Sequence, residues 1–144
     1  MGIDMWSVGV TLYELYTGQI MFPGRTNNQM LKLIMEAKGR IPNRTIKRGQ
    51  FWQQHFEDLG GGNMTFLSHE VDSLSKKEVV KKITYTRPVN DIKSMLLSAT
   101  PTGVSQKERG QVILLADLLE KCLEVNPERR VKPKQALSHK FFME

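Results

Sequence analysis

Residues 4–18 read Asp-Met-Trp-Ser-Val-Gly-Val-Thr-Leu-Tyr-Glu-Leu-Tyr-Thr-Gly, and this stretch decides the fold. Apolar and aromatic side chains fill most positions up to Tyr16, so the pattern predicts a helix that is buried on most sides. Asp4 is placed to cap the N-terminus of this helix by accepting backbone N–H groups. Gly18 marks its end. Gly9 in the interior costs ~1 kcal/mol relative to alanine, which indicates that another segment approaches closely there.

Three further helices are predicted around one long irregular stretch. Residues 28–38 carry apolar side chains at helical spacing, and residues 111–123 form an amphipathic pattern. A short helix begins near Pro133 and covers residues 135–139. Residues 40–92 lose all periodicity and are predicted to be an insertion with a surface role. The chain is therefore expected to be mainly α-helical, with one long irregular insertion.

Length and composition indicate one intracellular globular domain. The chain has 144 residues, enough for a single hydrophobic core. Its longest apolar runs, such as residues 112–116, are far shorter than the roughly 20 residues that span a bilayer, so no membrane partner is expected. A single cysteine, Cys122, excludes an internal disulfide framework and fits a reducing compartment. No Cys/His spacing predicts a metal site.

Several elements resemble those of eukaryotic Ser/Thr protein kinases and occur in the same order. Asp4-Met5-Trp6-Ser7-Val8-Gly9 matches the D-x-W-S-x-G signature, and Phe22-Pro23-Gly24 follows in register. Asn126-Pro127-Glu128-Arg129-Arg130 resembles the D-P-x-x-R element, and His139-Lys140-Phe141-Phe142 resembles the H-x-F-F ending. The resemblance implies that residues 1–144 are part of a kinase domain, namely the C-terminal half of its large lobe.

The stretch Asn27-Asn28-Gln29-Met30-Leu31-Lys32-Leu33 narrows the resemblance to the pre-mRNA-processing-factor-four kinases of the splicing machinery. These are similar to the cyclin-dependent, mitogen-activated and CDC-like kinases, which carry an insertion at the position of residues 40–92. The resemblance implies a nuclear enzyme that transfers the γ-phosphate of ATP to Ser/Thr hydroxyls of splicing factors.

The same resemblance assigns structural roles to Asp4, Trp6, Gly9 and Arg130. Asp4 is expected beneath the catalytic loop, accepting hydrogen bonds from its backbone; the alternative is a plain helix cap. Trp6 is expected to anchor the core. Arg130 aligns with the arginine that pairs with a buried glutamate, and that glutamate is absent from this sequence. Because breaking a buried pair costs roughly 3–5 kcal/mol, Arg130 is expected to be exposed or strained.

No catalytic, cofactor-binding or metal-binding residue is expected in this chain. A working kinase needs a Gly-rich loop, a strand lysine, an H-R-D-x-x-x-x-N loop and D-F-G, and none is present. The chain is therefore expected to be an inactive fragment that requires the missing N-terminal part of the domain, where ATP and Mg²⁺ bind in the family. It is also expected to fold poorly alone. The alternative is a short product that binds partners or serves as a scaffold, without catalysis.

The insertion carries two basic clusters separated by aromatic side chains. The clusters are Arg40, Arg44, Lys47 and Arg48, and Lys76, Lys77, Lys81 and Lys82. Such a pattern can hold RNA by phosphate contacts and stacking. The favoured alternative is a solvated insertion, because no nucleic-acid-binding signature accompanies the charges.

Two positions depart from the kinase pattern near the C-terminus. Asn126 replaces the usual aspartate, and Lys132 replaces a capping Ser or Thr at a cost of ~1 kcal/mol. These departures are consistent with relaxed constraint on the sequence.

Overall fold

The computed structural model describes residues 2–143, which divide into two compact units. The first unit combines the N-terminal residues up to Met21 with the chain from Asn90 onwards, and the second is Phe22–Val89. The helices are α1 (Gly2–Thr17), α2 (Asn27–Lys38), α3 (Asn43–Lys47), α4 (Ile92–Ser98), α5 (Gln106–Cys122) and α6 (Pro133–Leu137). The strands are β1 (Phe56–Gly60), β2 (Asn63–Val71) and β3 (Glu78–Ile83), and short 3₁₀ turns lie at Trp52–Gln54 and Lys140–Phe142. The prediction of a mainly helical chain is confirmed.

Helix α1 is buried along one stripe only. Met5, Gly9 and Tyr13, spaced four residues apart, are buried, whereas Ile3 and Leu15 are 72% and 77% exposed. The prediction that α1 is buried on most sides is therefore wrong for this chain. The reason is that α1 packs against α4 and α5, which together cover one face of the helix, and the other face carries exposed polar and apolar side chains side by side.

Helix α5 is the longest element of the first unit and begins earlier than the apolar pattern predicted. Ser105 and Glu108 form a capping box: the Ser105 hydroxyl accepts the Glu108 N–H at 3.1 Å, and the Glu108 carboxylate accepts the Ser105 N–H at 2.9 Å. This cap starts the helix at Gln106 rather than at residue 111. Its buried face carries Val112, Leu115, Ala116, Leu118, Leu119 and Cys122.

Helix α4 was not predicted, although its cap was readable from the sequence. The Asp91 carboxylate accepts the Ser94 N–H at 2.8 Å and so fixes the first turn. Ile92 and Leu96 are fully buried, and the helix packs on α5. A seven-residue helix gives too few repeats for a periodic signal to stand out.

The second unit combines α2 with an antiparallel sheet of order β1-β2-β3. Helix α2 lies where it was predicted, capped by Thr26 and ended by Gly39 at φ 81°. The segment of residues 40–92, predicted to be irregular, contains α3 and the whole sheet. The central strand β2 buries side chains on both faces, among them the polar Thr65 and Ser68, so its sequence lacks a clear apolar–polar alternation. The glycines at 60–62 all adopt positive φ and form the β1–β2 turn.

Helix α6 starts at Pro133 as predicted and ends at Leu137, two residues early. Lys132 precedes it without a side-chain cap, and its N–H instead donates to the Gln135 side chain at 3.1 Å. No helix within residues 2–143 is long and apolar enough to cross a membrane.

Candidate functional site

Trp6 and Arg130, two of the residues assigned structural roles, meet in the first unit. The Arg130 guanidinium carbon lies 5.2 Å from the centroid of the Trp6 ring, within the range of a cation–π contact. Trp6 belongs to α1, and Arg130 follows α5 by eight residues. The contact thus joins the D-x-W-S-x-G element to the D-P-x-x-R element.

Arg130 was expected to be exposed or strained; it is half-buried, so the first of these alternatives is wrong. Its Nε donates to the Glu124 carbonyl oxygen at 2.9 Å, and the Trp6 ring covers the guanidinium. Burial lowers the pKa of Arg130 from its usual value, and the nearby Glu124 carboxylate opposes that shift. The charge is therefore held by an aromatic face, a carbonyl dipole and a nearby carboxylate.

At Gly9, α1 approaches the C-terminal end of α5 closely. A Cβ at this position would lie 2.9 Å from Cγ and Cδ2 of Leu123 and 3.0 Å from Cβ of Cys122. Real side chains do not pack at such distances, so α5 leaves room for a hydrogen only. The close approach predicted from a glycine inside a helix is present.

Asp4 lies in the first turn of α1 and is exposed. Because the helix begins at Gly2, Asp4 is inside it and is not the N-cap residue that the sequence suggested. The carboxylate still stands at the positive end of the helix dipole. It makes no hydrogen bond within residues 2–143, so its acceptor oxygens are available. Its role beneath a catalytic loop stays a prediction.

His139 forms a hydrogen-bonded link that was not predicted from the sequence. Its Nδ1 accepts the Phe141 N–H at 2.9 Å, so the proton resides on Nε2, which donates to Asp117 at 2.6 Å. This bond, together with Lys121, lowers the pKa of Asp117 below its usual value. The imidazole thereby ties the turn at the H-x-F-F ending to α5. The H-x-F-F motif was the signal in the sequence that could have indicated this link.

Asn126 keeps the turn that the usual aspartate would make. Its side-chain oxygen accepts the Glu128 N–H at 3.1 Å, and its carbonyl accepts the Arg129 N–H at 3.0 Å. Because an amide oxygen accepts as a carboxylate does, this substitution preserves the local geometry.

Asn28, on α2, is the polar centre of the second unit. It is buried, its Oδ1 accepts the His69 N–H at 2.9 Å, and its Nδ2 donates to the Leu67 carbonyl at 2.8 Å. Nδ2 also lies 2.9 Å from Nδ1 of His55. Burial, with the neighbouring His69, lowers the pKa of His55, which favours the neutral ring that accepts this bond. Asn28 therefore fastens α2 to β2, and it belongs to the stretch that narrowed the family resemblance.

Among the eight basic side chains in the two clusters, Lys47, Lys81 and Lys82 pair with acidic side chains. Lys47 contacts Asp58 at 3.2 Å, and Lys82 contacts Glu57 at 2.9 Å. Glu70 receives both Lys32 and Lys81, at 3.2 and 3.3 Å. Phe56 and Phe66 are buried in the unit's core. They are unavailable for base stacking, whereas Phe51 is 60% exposed, so the RNA interpretation stays a prediction.

No metal centre is visible in the described part of the chain. Within it, no group of three or more His, Cys, Asp or Glu side chains is arranged to hold an ion.

Comparison with known proteins shows that nearly the whole chain is similar to protein kinases. The protein kinase domain family matches residues 1–142. The chain is 47% identical, over 98% of its length, to the serine/threonine-protein kinase prp4 of Schizosaccharomyces pombe, of which it covers 28%. It is 38% identical, over 96% of its length, to the serine/threonine-protein kinase prpf4B of Dictyostelium discoideum, of which it covers 16%.

A more distant similarity extends to another kinase. The dual specificity protein kinase lkh1 of Schizosaccharomyces pombe is 28% identical over 96% of the chain, which covers 18% of that protein. The chain thus spans less than a third of the length of each of these relatives. The gap between 47% and 28% identity supports the narrower likeness to the prp4 kinases.

Proposed function

Because this chain belongs to the protein kinase family, we propose that it forms the C-terminal half of the large lobe of a nuclear Ser/Thr kinase. That enzyme transfers the γ-phosphate of ATP to serine and threonine side chains of pre-mRNA splicing proteins. The observation that carries the proposal is the 47% identity to a serine/threonine-protein kinase over 98% of the chain. The contact between Trp6 and Arg130 supports it, since it joins two separate kinase elements in space.

In this proposal Asp4 positions the catalytic loop. Its carboxylate is exposed at the start of α1, where it can accept several backbone N–H groups of a loop that lies over the helix. The exposed Ile3 and Leu15 side chains on the same helix would be covered by the remainder of the domain. Both features are consistent with a scaffold segment.

ATP and Mg²⁺ are proposed to bind outside these 144 residues. The sequence has no Gly-rich loop, no H-R-D-x-x-x-x-N loop and no D-F-G, the elements that hold phosphates and metal in kinases. This chain therefore lacks the residues that would hold the phosphates of ATP and the metal ion. We propose that the chain alone does not transfer phosphate.

A chimera tests the proposal directly. The part of the fission-yeast prp4 kinase that precedes the matched region is joined to this chain, and phosphorylation of a serine/arginine-rich peptide is measured with ATP and Mg²⁺. We expect activity from the chimera and none from the chain alone. A folded chimera without activity contradicts the assignment.

The role of Asp4 has its own matched pair of variants in that chimera. Asp4→Asn keeps the side-chain shape and removes the charge, so kcat should fall about tenfold or more, equivalent to ~1.4 kcal/mol of barrier. Glu14→Gln makes the same chemical change at another exposed position of α1 and should leave kcat unchanged. Equal effects of the two variants would remove Asp4 from the mechanism.

A second candidate function is partner binding without catalysis, favoured by the exposed apolar side chains Ile3, Val8 and Leu15 of α1. The mass of the native protein separates the two candidates, using an antibody against residues 40–92. A product much heavier than 16.5 kDa supports the kinase, and a product at 16.5 kDa supports the binding role.

A further inference from the structure

Strand β3 leaves one edge of the sheet open. The strand order is β1-β2-β3, so β3 pairs with β2 on one side only. Within residues 2–143, no backbone group bonds to the opposite side of β3. An open strand edge is a template for another extended chain.

The register identifies which backbone groups face outwards. The Asp72 N–H donates to the Lys77 carbonyl at 2.9 Å, which makes these two residues a hydrogen-bonded pair. Such pairs alternate along an antiparallel ladder, so Val79 and Lys81 direct their backbone groups towards β2. Val80, together with its neighbours Glu78 and Lys82, directs its N–H and C=O to the open edge.

The open edge is strongly basic. Residues 76–82 contain four lysines and one glutamate, a net charge of +3. Lys81 and Lys82 pair with Glu70 and Glu57, on the opposite faces of the sheet. Lys76 and Lys77, at the hairpin turn, make no ion pair within the described residues. Their charges are therefore available to a partner.

We propose that β3 binds an extended acidic peptide segment, which adds to the sheet as a fourth strand. Outward N–H and C=O groups at Glu78, Val80 and Lys82 recur every ~6.8 Å, the two-residue repeat of a β-strand. Carboxylates of the peptide pair with Lys76 and Lys77, and its alternate apolar side chains cover Val80, which is 59% exposed. Main-chain bonds give affinity in this mode, and the lysines select for negative charge.

Two other occupants fit the edge less well. A second copy of β3 would bring lysines of like charge together, which disfavours pairing. RNA has no regularly spaced donors and acceptors that match the alternating backbone N–H and C=O groups of a strand edge. The peptide uses both the edge geometry and the charge.

The probe is a fluorescent peptide of sequence Glu-Val-Asp-Val-Glu-Val-Asp, with binding followed by anisotropy at low salt. Its partner probe carries N-methyl groups on alternate residues, which retain every charge and remove the main-chain donors on one edge. The protein is the 144-residue chain or the kinase chimera. Slow amide exchange at Val79 and Lys81 shows that the ladder is intact.

Val80→Pro is the variant that tests the proposal most directly. Val80→Pro removes an outward N–H that the ladder does not use, so the sheet should survive while peptide affinity falls about tenfold or more. Val80→Thr keeps the N–H and should bind as the unchanged protein does. Replacing Lys76 and Lys77 with alanine should weaken binding several-fold and reduce its dependence on salt.

Bound peptide should also slow amide exchange at Glu78, Val80 and Lys82. The proposal is overturned if the N-methylated probe binds as tightly as the parent, or if Val80→Pro and Val80→Thr bind equally. It is likewise overturned if a uridine heptamer displaces the peptide and binds both position-80 variants alike, since that result assigns the surface to nucleic acid.

Discussion

The two units close their cores in different ways. In the second unit, buried polar side chains find their partners internally, as Asn28 does with Leu67 and His69. In the first unit, helices pack through apolar faces, and α1 leaves Ile3 and Leu15 exposed. The second unit therefore satisfies its buried polar groups internally, whereas the first is held by apolar packing; both keep exposed apolar side chains, such as Leu74 at 92% in the second unit.

The two units also differ in whether they are built from one continuous segment of the chain or from two. The second unit is continuous in sequence, from Phe22 to Val89, and its contacts, such as that of Asn28 with His69 across 41 positions, close shorter loops. The first unit joins the N-terminal segment to residues beyond Asn90, and its α1–α5 contacts close a loop of about ninety residues. A unit built from one continuous segment is expected to withstand separation from the rest of a protein better.

The largest expected effect is a difference in thermal stability between the units. The chain has two tryptophans, Trp6 and Trp52, one in each unit. In the chain alone, fluorescence of the Trp52→Phe variant, which reports Trp6, should change at least ~10 °C below that of Trp6→Phe, about 2 kcal/mol. The exposed face of α1 should bind a hydrophobic dye before the second unit melts. One sharp transition seen by both tryptophans, without dye binding, contradicts the comparison.

Asn28→Ala removes the buried polar side chain at the centre of the second unit. The change leaves the His69 N–H and the Leu67 carbonyl without their partner, which should cost about 2–4 kcal/mol in the free energy of unfolding. Urea denaturation followed through Trp52 gives the value. Asn27→Ala, at the exposed first residue of the same helix, is the control and should change stability by less than ~0.5 kcal/mol. Equal losses for both would mean that the network does not hold α2.

Gly9→Ala and Gly110→Ala form a pair with opposite expected signs. At Gly9 the added methyl meets Leu123 at 2.9 Å, so overpacking should destabilise the first unit by about 1–3 kcal/mol. At Gly110, within α5, nothing lies within 4 Å, and alanine should stabilise by ~0.5–1 kcal/mol through helix propensity. Denaturation followed through Trp6 measures both, and a stabilising Gly9→Ala would contradict the close contact.

The smallest expected effect concerns acid stability of the second unit. The Ser68 hydroxyl at 2.7 Å, then Lys32 and Lys81, lower the pKa of Glu70 from 4.5 to about 2. Because the folded pKa lies below the unfolded one, the stabilisation is complete above pH 4.5 and is lost as pH falls towards 2. Ser68→Ala should raise the Glu70 pKa more than Lys81→Ala does, as measured by NMR titration. The opposite ranking would show that the exposed lysine, not the hydroxyl, holds the charge.

Sequence patterns predicted the elements that combine a long apolar repeat with clear end signals. Helix α2 has both, with Gly39 after it, and its position was predicted to within one residue. The mainly helical class and the close contact at Gly9 also followed from the residues alone. Kinase motifs identified the family, and the match over residues 1–142 confirms it.

The remainder depended on tertiary partners that no local pattern contains. The central strand β2 buries the polar Thr65 and Ser68 beside apolar neighbours, so its sequence does not alternate and was predicted to be irregular. Arg130 was expected to be exposed because its family partner is absent, yet Trp6 and the Glu124 carbonyl hold it. The burial of α1 was overestimated because apolar content shows what a helix could bury, not what lies beside it.

Because Cys122 lies in the contact between α1 and α5, its reaction with a thiol reagent can measure how often that contact opens. Its thiol is 1% exposed, beside the point where Gly9 meets α5, and burial raises its pKa. A thiol reagent therefore reacts only when this contact opens, and with one cysteine in the chain every labelled molecule records one such event. The labelling rate, compared with that of the unfolded chain, gives the frequency with which the contact between α1 and α5 opens in solution.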